Sequence, residues 1–160
     1  MYKRQVIRAV VLDVDGTVLR SDHTISPATR EAVADLIGLG VPVILASSRN
    51  PRGLAPVEAE LGISGQCLVA FQSALTGRLI GRDADDFEVL DELPMELPRA
   101  RNIALMASAA GYRVNWYAGM SWFVDRVDDR VRREATITGE GPTESPRRVR
   151  RLHVDRKLCY

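Results

Sequence analysis

Lysine is nearly absent from this chain. Lys3 and Lys157 are the only two, and every other basic residue is an arginine. A lysine ammonium is therefore available only near the two ends of the sequence. Cysteine is just as sparse. Cys67 and Cys159 stand far apart and in no metal-ligand spacing, which excludes a cysteine-rich zinc site or disulfide framework and fits a reducing, cytoplasmic setting. No apolar run approaches the ~20 residues that cross a bilayer. The basic residues at the start lead into an apolar stretch that is short and interrupted by Asp13, which is not the pattern of a signal peptide. The formal charge of +1 argues against bulk nucleic-acid binding. Walker phosphate loops, dinucleotide glycine patterns and internal repeats are missing as well.

What is present reads as globular. The 160 residues are 46% apolar and 27% charged, enough for one ordinary domain or a core plus a small second lobe, with no need of covalent staples. Residues 6–12 read as a first strand. Ser26-Pro27 is a helix start, an N-cap followed by proline at the first helical position. Ala32, Val33, Leu36 and Ile37 give that helix its apolar face, and Gly40 its stop. Residues 41–46 are a second strand. Pro51 opens a second helix that ends at Gly62, with Pro56 set to kink it or move its start. Residues 67–71 are a third strand. This alternation predicts an α/β fold with a parallel, doubly wound sheet, whose ligands sit at the carboxyl ends of the strands.

Thr76-Gly77 reads as a turn. The acidic stretch 83–98 reads as a linker into an α+β lobe, so the domains divide as 1–82 and 83–160. In that lobe a helix is expected over 98–110, a hairpin from 112–117 and 121–127 around Gly119, a weak helix over 129–136, and a last strand over 149–154. Trp116, Tyr117, Trp122 and Phe123 are expected in the lobe's core. His23 and His153 have no partner pattern. The arginines between 147 and 151 read as a solvated edge.

The chemistry concentrates after the first strand, in Asp13-Val14-Asp15-Gly16-Thr17. Residues two apart in an extended chain leave the same face. Two carboxylates close together repel, and burying them costs more still. The pattern calls for a cation, and magnesium, which takes oxygen ligands and keeps several waters, fits it. One carboxylate can attack phosphorus, and the second can protonate the leaving oxygen and later activate water. Gly16 permits a tight turn whose N–H groups can face phosphate oxygens, and Thr17 supplies a hydroxyl or caps the turn. Ser47 follows the second strand, where it either binds a phosphoryl oxygen or caps the next helix. Ser48 and Arg49 can add an N–H and a cationic clamp.

The stretch Leu12-Asp13-Val14-Asp15-Gly16-Thr17-Val18-Leu19 resembles the first motif of the haloacid dehalogenase-like (HAD) hydrolases. The resemblance continues through Ser21 to Pro27 and through Leu45-Ala46-Ser47-Ser48-Arg49-Asn50, and is strongest to the Cof-type sugar-phosphate phosphatases. It implies a Rossmann-like core carrying an α+β cap. Asp13 would be nucleophile and Mg2+ ligand, Asp15 the general acid/base with its carbonyl toward the metal, and Ser47 the hydroxyl of the second motif. From the chemistry of the residues themselves, Gly16, Thr17, Ser48 and Arg49 are the further expected contacts of the substrate phosphate.

The sequence departs from the family where Ser48 replaces a glycine and Gln72-Ser73 replace an Asn-Gly pair. The third-motif lysine has no counterpart in context, and the fourth-motif acidic loop is missing. The resemblance therefore implies a chain that stops inside the cap, with weak magnesium affinity and turnover. It also implies an exposed first strand that pairs with a second copy. The function expected is Mg2+-dependent hydrolysis of a small phosphorylated metabolite, with no nucleic acid or membrane partner. The alternatives are a phosphosugar mutase or other phosphotransferase, a receiver-type domain, and a non-catalytic phospho-ligand or partner-binding module.

Overall fold

In the computed structural model, residues 6–81, 86–118, 120–139 and 141–142 are described. The elements run β1 (Val10–Asp13), α1 (Pro27–Gly38), β2 (Val43–Ala46), α2 (Pro51–Leu61), β3 (Leu68–Ala70), β4 (Leu75–Leu79), β5 (Phe87–Glu92), α3 (Leu97–Ala109), β6 (Asn115–Ala118), β7 (Ser121–Val124) and α4 (Asp129–Thr138). The chain divides into two compact units at Glu92 and Leu93.

The first unit is a five-stranded sheet in the order β1-β2-β3-β4-β5. β1, β2 and β3 pair in parallel, with Val10 opposite Val43 and Leu45 opposite Leu68, while β4 and β5 add antiparallel. Sequence sets the helices as expected. The Ser26 side chain accepts the Thr29 N–H to start α1, and Asn50 accepts the Gly53 N–H to start α2. Pro51 holds the first position of α2 and Gly62 closes it at φ +68°. Pro56 moves neither end of that helix.

Both helices pack against one another and against the parallel strands. Val43, Leu45, Leu68 and Ala70 of the sheet and Leu54 of α2 are wholly buried. Burying such an aliphatic side chain contributes about 1.5–3 kcal/mol. Alternate residues on the strands are less covered: Ile44 and Val69 are half-buried and Val11 is 61% exposed. The expected double winding is thus half built among the described residues. Successive right-handed crossovers that step in one direction, β1 to β2 to β3, place both helices on one face.

Two expectations are corrected here. Residues 83–98 are not a linker throughout, because β5 hydrogen-bonds along β4, and the first unit runs to Glu92 rather than to residue 82. Thr76-Gly77 is not a turn but the middle of β4, at a shift in register. Gly77 is needed there for close approach: a Cβ would stand 2.3 Å from the Glu88 carbonyl oxygen and 2.4 Å from the Phe87 ring.

The second unit holds α3, the β6–β7 hairpin and α4. Ala100 and Trp116 pack with Leu97, Ala104, Ala118 and Phe123, and Trp122, Val124 and Val131 pack with Tyr117 and Ala135. The aromatic residues are core, as the sequence indicated. The expected strand over 149–154, His153, the arginines from 147 to 151, Lys3, Lys157, Cys159 and Gly119 lie outside the described residues. Among the described residues no helix is long and apolar enough to cross a membrane.

Among the described residues Glu58 is the one buried acid, 2% exposed on α2, with its Oε1 accepting the Gly65 N–H at 3.0 Å. Burial raises its carboxyl above the ordinary 4.5, and hydrogen bonds from the Gly65 and Gln66 backbone offset this in part. The folded state therefore holds this proton more tightly than the unfolded chain. Its contribution to stability is complete below the unfolded carboxyl's pKa and is lost as pH rises through the folded one. Glu58→Gln is expected to flatten that decline, which urea midpoints taken from about pH 4 to about pH 8 will check. An unchanged slope would contradict it.

Candidate functional site

β1 ends on Asp13, and the chain doubles back at once. The Gly16 N–H donates to the Leu19 carbonyl at 2.9 Å, Leu19 N–H to Val14 at 2.8 Å, and Val18 N–H to Asp13 at 3.3 Å. Gly16 makes the reversal at φ +83°, a left-handed backbone that glycine adopts without Cβ strain. Val14, Val18, Leu19 and Ile25 are buried and pin the loop to the core. With Val14 turned inward, Asp13 and Asp15 both turn outward and are exposed. Leaving both at the surface avoids the cost of desolvating two neighbouring carboxylates.

Asp13 lies opposite Ala46 in the sheet, so Ser47 stands one residue past the neighbouring strand end. The Thr17 hydroxyl donates to Asp13 Oδ2 at 3.0 Å, fixing one carboxylate oxygen. Ser47 is buried. Its N–H is bound by the Val69 carbonyl at 2.9 Å, and its Oγ accepts the Arg49 N–H at 3.2 Å. It does not cap α2, which is the work of Asn50, a residue that reasoning from sequence passed over although Asn-Pro is a recognisable start. Ser48 is exposed. Two expected phosphate contacts are differently placed. The Gly16 N–H is spent inside the loop on Leu19. Arg49 is turned to Asp15: its Nε donates to Oδ2 at 2.9 Å and its Nη2 to Oδ1 at 2.6 Å, while Nη1 reaches the Gly53 carbonyl at 3.3 Å. The planar fork of a guanidinium matches a carboxylate in this two-bond fashion, and a nearby acid out-competes solvent for it.

A third segment closes the arrangement. After β3 the residues Phe71, Gln72 and Ser73 all take left-handed backbone, at φ +50°, +56° and +70°. Their turn returns hydrogen bonds to the loop after β2, Phe71 N–H to the Arg49 carbonyl and Gln72 N–H to the Ser47 carbonyl, both at 3.1 Å. Asn and Gly, which the resembling family carries at positions 72 and 73, tolerate such angles far better than Gln and Ser.

Among the described residues no three His, Cys, Asp or Glu side chains converge as a metal cluster. The side-chain donor left at this place is one exposed carboxylate, Asp13, since the Asp15 side chain is engaged by Arg49. An all-oxygen set this small matches magnesium, which binds through one or two carboxylates plus water and substrate oxygens.

A family model described as haloacid dehalogenase-like hydrolase matches residues 10–150. A phosphatase-named protein of Haemophilus influenzae is 41% identical over 75 residues, covering 47% of this chain and 26% of that one. Another phosphatase-named protein, from Bacillus subtilis, is 39% identical over 56 residues, 35% of this chain and 22% of its own length. Among solved structures, a haloacid dehalogenase-like hydrolase from Bacteroides thetaiotaomicron superposes at TM-score 0.77 with 20% identity, over 96% of this chain and 57% of that one. A sugar phosphatase of HAD subclass IIB superposes at 0.69 with 18% identity, over 86% and 52%. At such identities the structures establish the fold. The match spans about a quarter of the length of these two curated relatives and just over half that of these two solved structures.

Left-handed backbone costs a non-glycine residue on the order of 1 kcal/mol or more. Ser73→Gly is therefore expected to stabilise the first unit by about 1 kcal/mol, read as a higher urea midpoint at unchanged slope. A lower midpoint would contradict the strain assigned to this turn.

Proposed function

Because the chain belongs to the haloacid dehalogenase-like hydrolase family, we propose that its Asp13–Thr17 loop serves phosphate-ester hydrolysis through an aspartyl-phosphate intermediate. One observation carries this reading. Asp13 is an exposed carboxylate at the carboxyl end of a parallel strand, held at one oxygen by Thr17, with Ser47 at the end of the neighbouring strand. In the first step an Asp13 oxygen bonds to phosphorus as the ester P–O bond breaks, and Asp15 gives a proton to the departing oxygen. In the second step Asp15 takes a proton from water as that water displaces Asp13 from phosphorus. Thr17 fixes the attacking carboxylate, so its rotamer need not be searched at each turnover.

Magnesium would be held by the Asp13 carboxylate and the Asp15 carbonyl, and when bound supplies positive charge against the phosphate oxygens. The substrate class that the resemblance favours is a sugar phosphate, in a cytoplasmic setting. A non-catalytic phospho-ligand module is the second reading. It is favoured by the lack of any lysine among the described residues to offset charge between Asp13 and phosphate.

Hydrolysis of an aryl phosphate by the purified chain, with and without magnesium, tests the first reading. Asp13→Asn is expected to reduce metal-dependent turnover by at least 10³-fold, on the order of the loss seen when a covalent nucleophile is removed. Turnover unaffected by Asp13→Asn would overturn the assignment. A folded wild-type chain that binds phosphate without hydrolysing an ester would favour the second reading.

β1 pairs with β2 alone in the described sheet, and its Val11 is 61% exposed. Its open row of backbone donors and acceptors supports pairing with a second copy of this chain. Light scattering is expected to give at least twice the mass of one chain, a dimer or a larger assembly. A single-chain mass at high concentration would rule the pairing out.

A further inference from the structure

The site contains a basic group that the two-carboxylate mechanism does not use. Arg49 is 91% buried at its side chain by its 9% exposure, whereas the Asp15 side chain it binds is 48% exposed. A residue that clamps a substrate phosphate must present its guanidinium to incoming solute. Here the fork is turned onto Asp15 through two nitrogens, and the third nitrogen is anchored on the Gly53 carbonyl in the first turn of α2. The stem runs alongside Gly53, where a Cβ would be in ordinary contact with it, 3.6 Å from Arg49 Cβ and 3.7 Å from its Cδ. The Arg49 backbone is fixed as well, by its N–H on Ser47 Oγ and its carbonyl on the Phe71 N–H.

Asp15 has the opposite character. It sits on a reversing loop, and the two hydrogen bonds from Arg49 bridge 34 positions of sequence to reach it. A side chain with two rotatable bonds on an exposed loop samples several rotamers unless something holds it. We infer that Arg49 is a positioning residue for Asp15, aligning the acid/base with the leaving oxygen, and is not a ligand of the substrate phosphate. This rests on the phosphohydrolase reading of the site. Each Asp15 oxygen accepts one bond from Arg49 and keeps a second lone pair, so the proton that Asp15 gives and later regains can reside there while the fork stays in place.

The two roles of Arg49 separate by leaving group. A dinitrophenolate departs without a proton, while a sugar alkoxide needs one. Arg49→Met keeps the buried stem and removes the fork. If Arg49 positions the acid, this variant loses about 10²-fold or more in kcat/KM on a sugar phosphate, within the usual worth of general acid catalysis, and only a few-fold on dinitrophenyl phosphate. In an Asp15→Ala background the same change adds little on either substrate, because nothing remains to position. Equal losses on both substrates, persisting without Asp15, would assign Arg49 to the phosphate and overturn the inference.

A readout without turnover separates this inference from the function it rests on. The Arg49 Nε–H resonance, assigned by its loss in Arg49→Met, is expected to exchange slowly with solvent and to shift in Asp15→Ala. A signal indifferent to Asp15, in an active chain, would overturn the role of Arg49 alone. A signal coupled to Asp15 in a folded chain that hydrolyses neither ester would overturn the reading of the site, and the positioning role with it.

Discussion

The parallel register of β1 on β2, with Asp13 opposite Ala46, brings the loop that carries Asp15 within reach of the loop that carries Ser47 and Arg49. The Arg49–Asp15 contact follows from that pairing. Slipping β1 by one residue on β2 would carry Asp13 to the other face while Val43 and Leu45 stayed in the core, so the alternation of the strand fixes where the carboxylate emerges. The helices contribute by holding the strands in that register. Ser26 and Asn50 cap them, and the buried valines and leucines of both layers lock the stack.

Against that rigid frame the site is held by polar contacts of unequal weight. Thr17 on Asp13 is an exposed hydrogen bond, worth on the order of 1 kcal/mol at most. The Arg49–Asp15 pair joins a buried guanidinium to a half-exposed carboxylate, and removing the acid would leave a buried charge with its fork unmatched. The turn at Phe71–Ser73 bears backbone strain while it returns two hydrogen bonds to the loop above Arg49. Strain of this kind concentrates at sites where a loop must be held in one conformation. The local cost falls on the segment that braces the loop, not on the carboxylates.

Much of this was legible from residue types. Val10 to Asp13, Ser26-Pro27, Val43 to Ala46 and Asn50-Pro51 carry their own strand and helix signals, and the Asp-x-Asp-Gly-Thr run marks the site. Three features were not legible for physical reasons. Gly77 sits mid-strand because Phe87 crosses over it, and a long-range contact leaves no trace in local composition. β5 has an acidic, half-polar sequence because it lies at the sheet edge, so it reads as linker. The partner of Arg49 could not be read because two loops separated by 34 residues meet only through the sheet. Gln72-Ser73 was read only as a departure from the family's Asn-Gly, because Gln and Ser do not by themselves announce the left-handed backbone found there.

The claim on which the account turns is that Asp13 is the group that takes phosphate. An acyl phosphate is reduced by borohydride to an alcohol, which converts the aspartyl carboxyl to a homoserine side chain that peptide mass spectrometry can locate. The account predicts this change at position 13, after incubation with a phosphate ester and magnesium, and nowhere when the ester is omitted. Hydrolysis of the ester with residue 13 unmodified, or with the label on another carboxylate, would contradict it.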